Sequence, residues 1–70
     1  MIYTKYVVKL KGMGNLITVF GIGYIVEKAG GILRIYDRHR HGGEWQQVEV
    51  FTAAHGSWEY ILKVEEINEQ

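Results

Sequence analysis

Hydrophobic and polar side chains alternate along much of this 70-residue chain. In residues 2–11 the even positions include Tyr6 and Val8, whereas three of the odd positions are lysines. Alternation with a period of two is typical of a β-strand with one buried face. The same pattern predicts further strands at residues 32–38 and 45–52. We therefore expect an all-β fold.

Residues 16–28 form the longest predicted strand, and both of its faces are apolar. Phe20 and Tyr24 lie on the even face, while the odd face carries valine and isoleucine. Gly21 and Gly23 interrupt that odd face, and glycine inside a strand commonly marks a bulge or a sharp bend. We expect a bend here that lets one long strand serve both halves of a small barrel.

The segment that starts at Trp58 fits two patterns. Hydrophobic and polar residues alternate from residue 58 to residue 65, which predicts a fifth strand. Tyr60 and Val64 also fit helical spacing, and Ser57 is a suitable helix-capping residue. We favour the strand because the alternation is unbroken. The alternative is an α+β fold with a C-terminal helix from about Ser57.

Short connections separate the five predicted strands. They lie at residues 12–15, 28–31, 39–44 and 53–57, and each contains glycine. Successive strands joined by short turns usually pair up and down in an antiparallel sheet. We expect a single domain, residues 1–70, in which a five-stranded antiparallel meander forms a curled sheet or a small SH3-like or OB-like barrel.

Size and composition indicate a subunit rather than a self-sufficient domain. Below about 70–80 residues, a hydrophobic core rarely gives enough stability without a disulfide, a metal or a partner chain. This sequence contains no cysteine and no proline. It also shows no signal-peptide pattern and no apolar run of the ~20 residues that cross a bilayer, so we expect a cytoplasmic protein without membrane contact. A homo-oligomer, with a dimer favoured, is the remaining common means of stabilisation.

The net charge is zero, but the charges are distributed asymmetrically. Residues 1–40 carry seven basic and two acidic side chains, a net charge of +5. Residues 41–70 carry one basic and six acidic side chains, a net charge of −5. In one interpretation the first and last strands pair, so that these charges neutralise each other within the molecule. In the other, a basic face of one subunit meets an acidic face of another.

Apolar residues on the second face of the first three strands form the predicted interaction face. A barrel buries one face of its sheet, and contiguous exposed apolar surface on the other usually marks an interaction site. The residues predicted to form this face are Val7, Ile17, Val19, Ile25 and Leu33. The alternative is a curled sheet that buries parts of both faces of the second strand.

A set of basic side chains supports a second class of function. Small barrels that bind single-stranded nucleic acid combine a basic groove with aromatic platforms on which bases stack. The candidate contacts to nucleic acid or another anion are Lys5, Lys9, Lys11, Arg38 and Arg40. The neutral total charge argues against this alternative, because domains that bind nucleic acid are usually strongly basic.

His39 and His41 are weak candidates for a metal or ligand site. Two imidazoles and the carboxylate of Asp37 could bind a transition metal, but Arg38 and Arg40 would repel a cation. We therefore predict no metal and no cofactor. No pattern places a nucleophile beside a base, so we predict no catalytic residues and no enzymatic activity, apart from the alternative of a pocket at a subunit interface.

Together these observations predict a non-enzymatic β interaction module that self-associates and binds another protein. The small size and the lack of cysteine and proline suggest an accessory protein encoded by a phage or mobile element. The first alternative is a small barrel that binds single-stranded nucleic acid. The second is a metal- or ligand-binding module that uses the loop with His39 and His41.

Overall fold

The computed structural model describes residues 2–68, which form six β-strands. The strands are β1 (Ile2–Leu10), β2 (Leu16–Gly21), β3 (Gly23–Val26), β4 (Leu33–His41), β5 (Glu44–Ala53) and β6 (Trp58–Asn68). The described residues contain no helix, and hence none that could span a membrane. The all-β prediction is confirmed, and the alternative of a C-terminal helix from Ser57 is wrong.

The strands form two antiparallel sheets of three strands each. Sheet 1 has the order β2-β1-β6, and sheet 2 has the order β3-β4-β5. The first and last strands therefore pair along most of their length, from Ile2 opposite Asn68 to Leu10 opposite Trp58. The two sheets do not close into a barrel, so the SH3-like or OB-like barrel is not confirmed.

A break at Ile22 explains why there are six strands and not the predicted five. The long second strand predicted at residues 16–28 is divided there into β2, which pairs with β1, and β3, which pairs with β4. The amide of Ile22 donates a hydrogen bond of 2.8 Å to the carbonyl of Tyr36 in β4. The predicted bend is thus present, but it is sharp enough to place the two halves in different sheets.

Gly21 allows the close approach of backbones at this bend. A Cβ atom at Gly21 would lie 2.5 Å from the carbonyl oxygen of Tyr36 and 3.0 Å from Cγ2 of Ile35. No side chain fits at such a distance without moving the backbone of β4. Glycine is therefore required where β2 passes β4, which accounts for one of the two glycines in the sequence pattern.

The core is small and lies between the two sheets. Among the described residues it consists of five buried hydrophobic side chains: Tyr6, Val8, Leu33, Ile35 and Ala53. Partly buried side chains from both sheets pack around them: Leu10, Val19, Phe51, Trp58 and Ile61. Strands β1 and β4 supply most of the core because each is the central strand of its sheet and has an alternating pattern.

A hydrogen bond joins β6 of sheet 1 to the turn before β4. Nε1 of Trp58 donates to the carbonyl of Gly31 at 2.9 Å. Gly31 has a φ of 59°, and a Cβ there would meet the imidazole of His55 at 2.5 Å. This turn is therefore held between Trp58 and His55.

The molecule is less compact than its length would allow. Its radius of gyration is 13.1 Å, whereas a compact domain of this length has about 11 Å. Its accessible surface is 4955 Å², whereas a folded monomer of this mass exposes about 4,500 Å². Much of the difference lies in the far half of the β4–β5 hairpin, where residues 38–50 are all exposed.

Replacing Gly21 should test the bend directly. We expect Gly21→Ala to lower the free energy of unfolding by about 1–3 kcal/mol, because the new methyl group overpacks against the backbone of β4. Gly23→Ala is the matched control, since no atom lies within 4 Å of a Cβ placed there. Urea unfolding of both variants measures the effect. Equal stabilities for the two variants would contradict this account of the bend.

Candidate interaction surface

Sheet 1 turns one face towards the core and the other towards solvent. Register pairs Val7 of β1 with Thr18 of β2 and with Leu62 of β6, so these three side chains share the solvent side. The neighbouring rows extend the surface in both directions along the strands. We call the part of this surface between the rows of Lys5 and Lys9 the outer face, and its uncharged members are Val7, Leu16, Thr18, Phe20, Tyr60 and Leu62.

The outer face exposes large hydrophobic side chains on both flanking strands. Leu16 and Phe20 in β2 are each 50% exposed, and Leu62 in β6 is 53% exposed. Such residues occur singly on most protein surfaces, but here they lie on a single sheet face about three strands wide. Only the row of Val7, Thr18 and Leu62 is uncharged across all three strands, because Lys9 lies between Leu16 and Tyr60 and Lys5 lies beside Phe20. Exposed apolar surface with a polar rim usually marks an interaction site.

The predicted interaction face is not assembled as the sequence suggested. Ile17 and Val19 lie opposite Val8 and Tyr6, on the core side of sheet 1. Leu33 is fully buried in the core.

The remaining two residues of that prediction lie apart from each other. Ile25 is 50% exposed, but it belongs to sheet 2. Only Val7, half-buried in the centre of β1, belongs to the outer face.

The predicted interaction face differs from the observed surface because the sequence did not show which face of β2 is buried. Both faces of β2 are apolar, so alternation alone could not show which side is buried. Pairing of Val19 with Tyr6 turns the odd residues inward and exposes Leu16 and Phe20. The predicted interaction face also contained no residue of β6. Alternation from Trp58 onward placed Leu62 on one face with Tyr60, but it did not show that this face is exposed.

The basic residues of β1 face acidic residues of β6. Lys9 makes an ion pair of 3.1 Å with Glu59, and its ammonium group also donates to the carbonyls of Leu10 and Met13. Lys5 lies opposite Glu65 in the register. Pairing of the first and last strands thus brings the two oppositely charged halves of the chain together, as one of the two interpretations of the charge asymmetry expected.

The other predicted basic contacts lie elsewhere. Lys11 is exposed in the turn after β1, while Arg38 and Arg40 lie on β4 of sheet 2. In this hairpin Arg40 stacks over the ring of Trp45, with its guanidinium carbon 5.9 Å from the ring centroid, a cation–π contact. The predicted basic set is therefore divided between two sheets and does not line one groove.

The histidines do not converge on a metal site within residues 2–68. Nε2 of His39 is 3.8 Å from a carboxylate oxygen of Asp37, but no group of three potential metal ligands forms there. His41 follows two residues later near the exposed end of the hairpin. His55 lies in another part of the molecule, against Gly31.

A shallow depression lies beside the bend. It has a volume of about 210 Å³ and is lined by Ile22, Gly23, Tyr24, Ile25, Tyr36 and Gln47. The ring of Tyr24 meets that of Tyr6 edge to face, with the centroids 5.4 Å apart. The depression is smaller than the roughly 300 Å³ at which ligand pockets begin, and no acid, lysine or histidine lines it.

An ion-pair network occupies the solvent side of sheet 2. Arg34 donates to Glu27 through Nε at 2.9 Å and to Glu49 through Nη1 at 2.6 Å. The hydrogen bond from Arg34 lowers the pKa of Glu49, and a hydrogen bond from Thr52 acts in the same direction. These contacts join the turn after β3 to the edge strand β5. The charges of Arg34, Glu27 and Glu49 therefore already have partners within the molecule.

The lowered pKa of Glu49 gives a pH dependence of stability. The folded state favours the ionised carboxylate, so the contribution is present above the ordinary value of 4.5 and is lost as the pH falls through the lower folded pKa. We expect Glu49→Gln to be less stable than the unmodified protein at pH 7, and the difference to shrink at pH values below about 4. Urea unfolding at several pH values measures it.

Glu44→Gln is the control for this experiment. Glu44 lies on the same strand, and its carboxylate makes no ion pair within the described part of the chain. This variant should match the unmodified protein throughout the pH range. A stability difference for Glu49→Gln that persists unchanged in acid would contradict the role of the ion pair.

Comparison with known proteins assigns no family to this chain. No protein-family model, no curated protein and no solved structure matches it.

Proposed function

We propose that this protein is a non-enzymatic β interaction module that self-associates as a dimer and binds another protein. The observation that carries the proposal is the outer face of sheet 1, where Leu16, Phe20 and Leu62 are each at least half exposed. Covering this surface removes apolar area from water, which is the main favourable contribution to association between proteins.

The small core supports the same proposal. Within residues 2–68, thirteen large hydrophobic side chains are exposed, whereas only five hydrophobic side chains are buried. A chain of this size without a disulfide gains little stability from so small a core. Association stabilises such a chain because a partner that binds only the folded state shifts the folding equilibrium towards it.

The composition of the outer face also suits recognition by a protein. Its uncharged central row, Thr18, Val7 and Leu62, is flanked along β1 by Lys5 and Lys9, and lysines are typical of the polar rim of an interface rather than of its core. Lys9 is already paired with Glu59 within the molecule. Lys5 lies opposite Glu65 on the neighbouring strand, so both lysines of this face have an acidic residue close by.

Substitution on the outer face should weaken self-association. We expect Leu16→Glu to raise the dimer dissociation constant by at least about tenfold, because a carboxylate buried without a partner costs more than ~1.4 kcal/mol. The fold should tolerate the change, since the side chain is exposed in the isolated subunit. Analytical ultracentrifugation over a range of micromolar concentrations measures the constant.

Ile25→Glu is the matched control for this measurement. Ile25 is equally apolar and 50% exposed, but it lies on sheet 2, away from the outer face. We expect this variant to dimerise like the unmodified protein. A monomer at every concentration for the unmodified protein, or equal weakening by both variants, would refute the outer face as the site of self-association.

One observation favours a second candidate function, binding of single-stranded nucleic acid. Arg38, Arg40 and Trp45 lie on an exposed hairpin, where an arginine and an aromatic ring are already in contact. Arginine and aromatic side chains together bind phosphates and stack on bases.

Titration against salt tests this candidate. If this candidate is correct, affinity for a single-stranded oligonucleotide should fall steeply with salt concentration. Arg40→Ala should make the slope of log affinity against log salt concentration shallower by the amount expected for about one phosphate contact. Fluorescence anisotropy at low salt measures the affinity. No binding under those conditions would eliminate the candidate.

A further inference from the structure

The free edge of β2 has no protection against pairing with another strand. Proteins usually protect a sheet edge with charged side chains, proline, bulges or a short strand length. Residues 16–20 of β2 carry no charge and no proline, and the register of β2 with β1 is regular from Lys9 to Thr4. No other backbone hydrogen bond within residues 2–68 reaches these five residues from outside sheet 1.

The other edges of the two sheets have such protection. Strand β6 carries Glu59, Glu65 and Glu66, and its register with β1 shifts at two positions. Strand β5 carries Glu44 and Glu49, and its register with β4 shifts once.

Strand β3, the other edge of sheet 2, and Gly21, the last residue of β2, are also unavailable for pairing. Strand β3 has only four residues and begins with Gly23. At the end of β2, Gly21 is covered by the backbone of Tyr36. The unprotected edge is therefore confined to residues 16–20.

We propose that the residue 16–20 edge of β2 pairs antiparallel with the same edge of a second copy of this chain, across a two-fold axis at Thr18. This inference rests on the proposed self-association and specifies how it occurs. The product is a continuous sheet of six strands with the order β6-β1-β2-β2-β1-β6. Backbone hydrogen bonds between the two copies of β2 then provide partners for the amide and carbonyl groups at the free edge of each copy.

Charge identifies a second copy as the occupant. In a two-fold antiparallel pair each strand meets itself, so any charged residue on the strand comes close to a like charge. Residues 16–20 have no charge to repel a copy of themselves. The strongly acidic β6 would repel itself in the same arrangement, so β2 is the self-complementary edge.

The side-chain pairs that result are favourable on both faces. Centring the five-residue edge on Thr18 places Leu16 opposite Phe20 of the second copy, and Ile17 opposite Val19 of the second copy. Aliphatic–aromatic pairs and pairs of β-branched residues across strands stabilise a sheet. Leu16 and Phe20, each half exposed in the single subunit, gain a neighbour on the outer face in this way.

Disulfide cross-linking tests the arrangement because the chain has no cysteine of its own. Opposite residues of an antiparallel pair have Cα atoms about 4.5–5.5 Å apart, which a disulfide can span. We expect Thr18→Cys to convert almost completely to a linked dimer under mild oxidation. Leu62→Cys is the control, because the two copies of Leu62 would lie five strand spacings, or about 24 Å, apart. It should remain reduced.

Hydrogen exchange on the unmodified chain gives a second measurement that needs no substitution. In a single subunit, alternate amides of residues 16–20 point to the free edge and exchange rapidly. We expect these amides to become protected as the protein concentration is raised into the range where sedimentation detects the dimer. Packing of two outer faces against each other, about 10 Å apart, leaves the edge amides without hydrogen-bond partners.

The outcomes separate this inference from the proposed function. Monomer alone in sedimentation at all concentrations would overturn both. A dimer in which Leu62→Cys links as readily as Thr18→Cys would support face-to-face association and overturn the strand pairing. A dimer with unprotected amides at residues 16–20 and unlinked Thr18→Cys would show that the edge has another occupant, which also overturns it.

Discussion

The contact between Gly21 and the backbone of Tyr36 is the constraint on which the rest of this fold depends. It brings two strands closer together than any side chain at position 21 would permit. The chain therefore turns at Ile22 and passes from sheet 1 to sheet 2 within one residue. After this turn β3 pairs only with β4, and β2 pairs only with β1. Strand β6 pairs with the other side of β1.

This division leaves a core between two narrow sheets. Val8 and Leu33, from the two central strands, are fully buried, but most of the flanking strands have solvent on at least one side. A pair of three-stranded sheets cannot bury the apolar surface that a chain with 47% hydrophobic residues supplies. The surplus is exposed on both sheets: Leu16, Phe20, Tyr60 and Leu62 lie on the outer face, and Tyr24, Ile25, Val48 and Val50 lie on sheet 2.

The charged side chains of this molecule pair mainly with one another, although their asymmetry along the chain also suggested contacts between subunits. The basic first strand and the acidic last strand lie side by side, and Lys9 with Glu59 forms one of the resulting ion pairs. On sheet 2, Arg34 is shared by two glutamates. These charges are therefore satisfied within the molecule, whereas Arg38 and Arg40 are exposed on the β4–β5 hairpin.

Much of this fold could be predicted from the sequence, because alternation with a period of two records which strands have one buried face. It identified β1 and β4, the strand that starts at Trp58, and a bend at the glycines that follow Phe20. It could not orient β2, since a strand that is apolar on both faces carries no information about which face is buried. Only the tertiary structure decided that Val19 faces the core and Phe20 faces solvent, because the register places Val19 opposite the buried Tyr6 of β1 and Phe20 opposite Lys5.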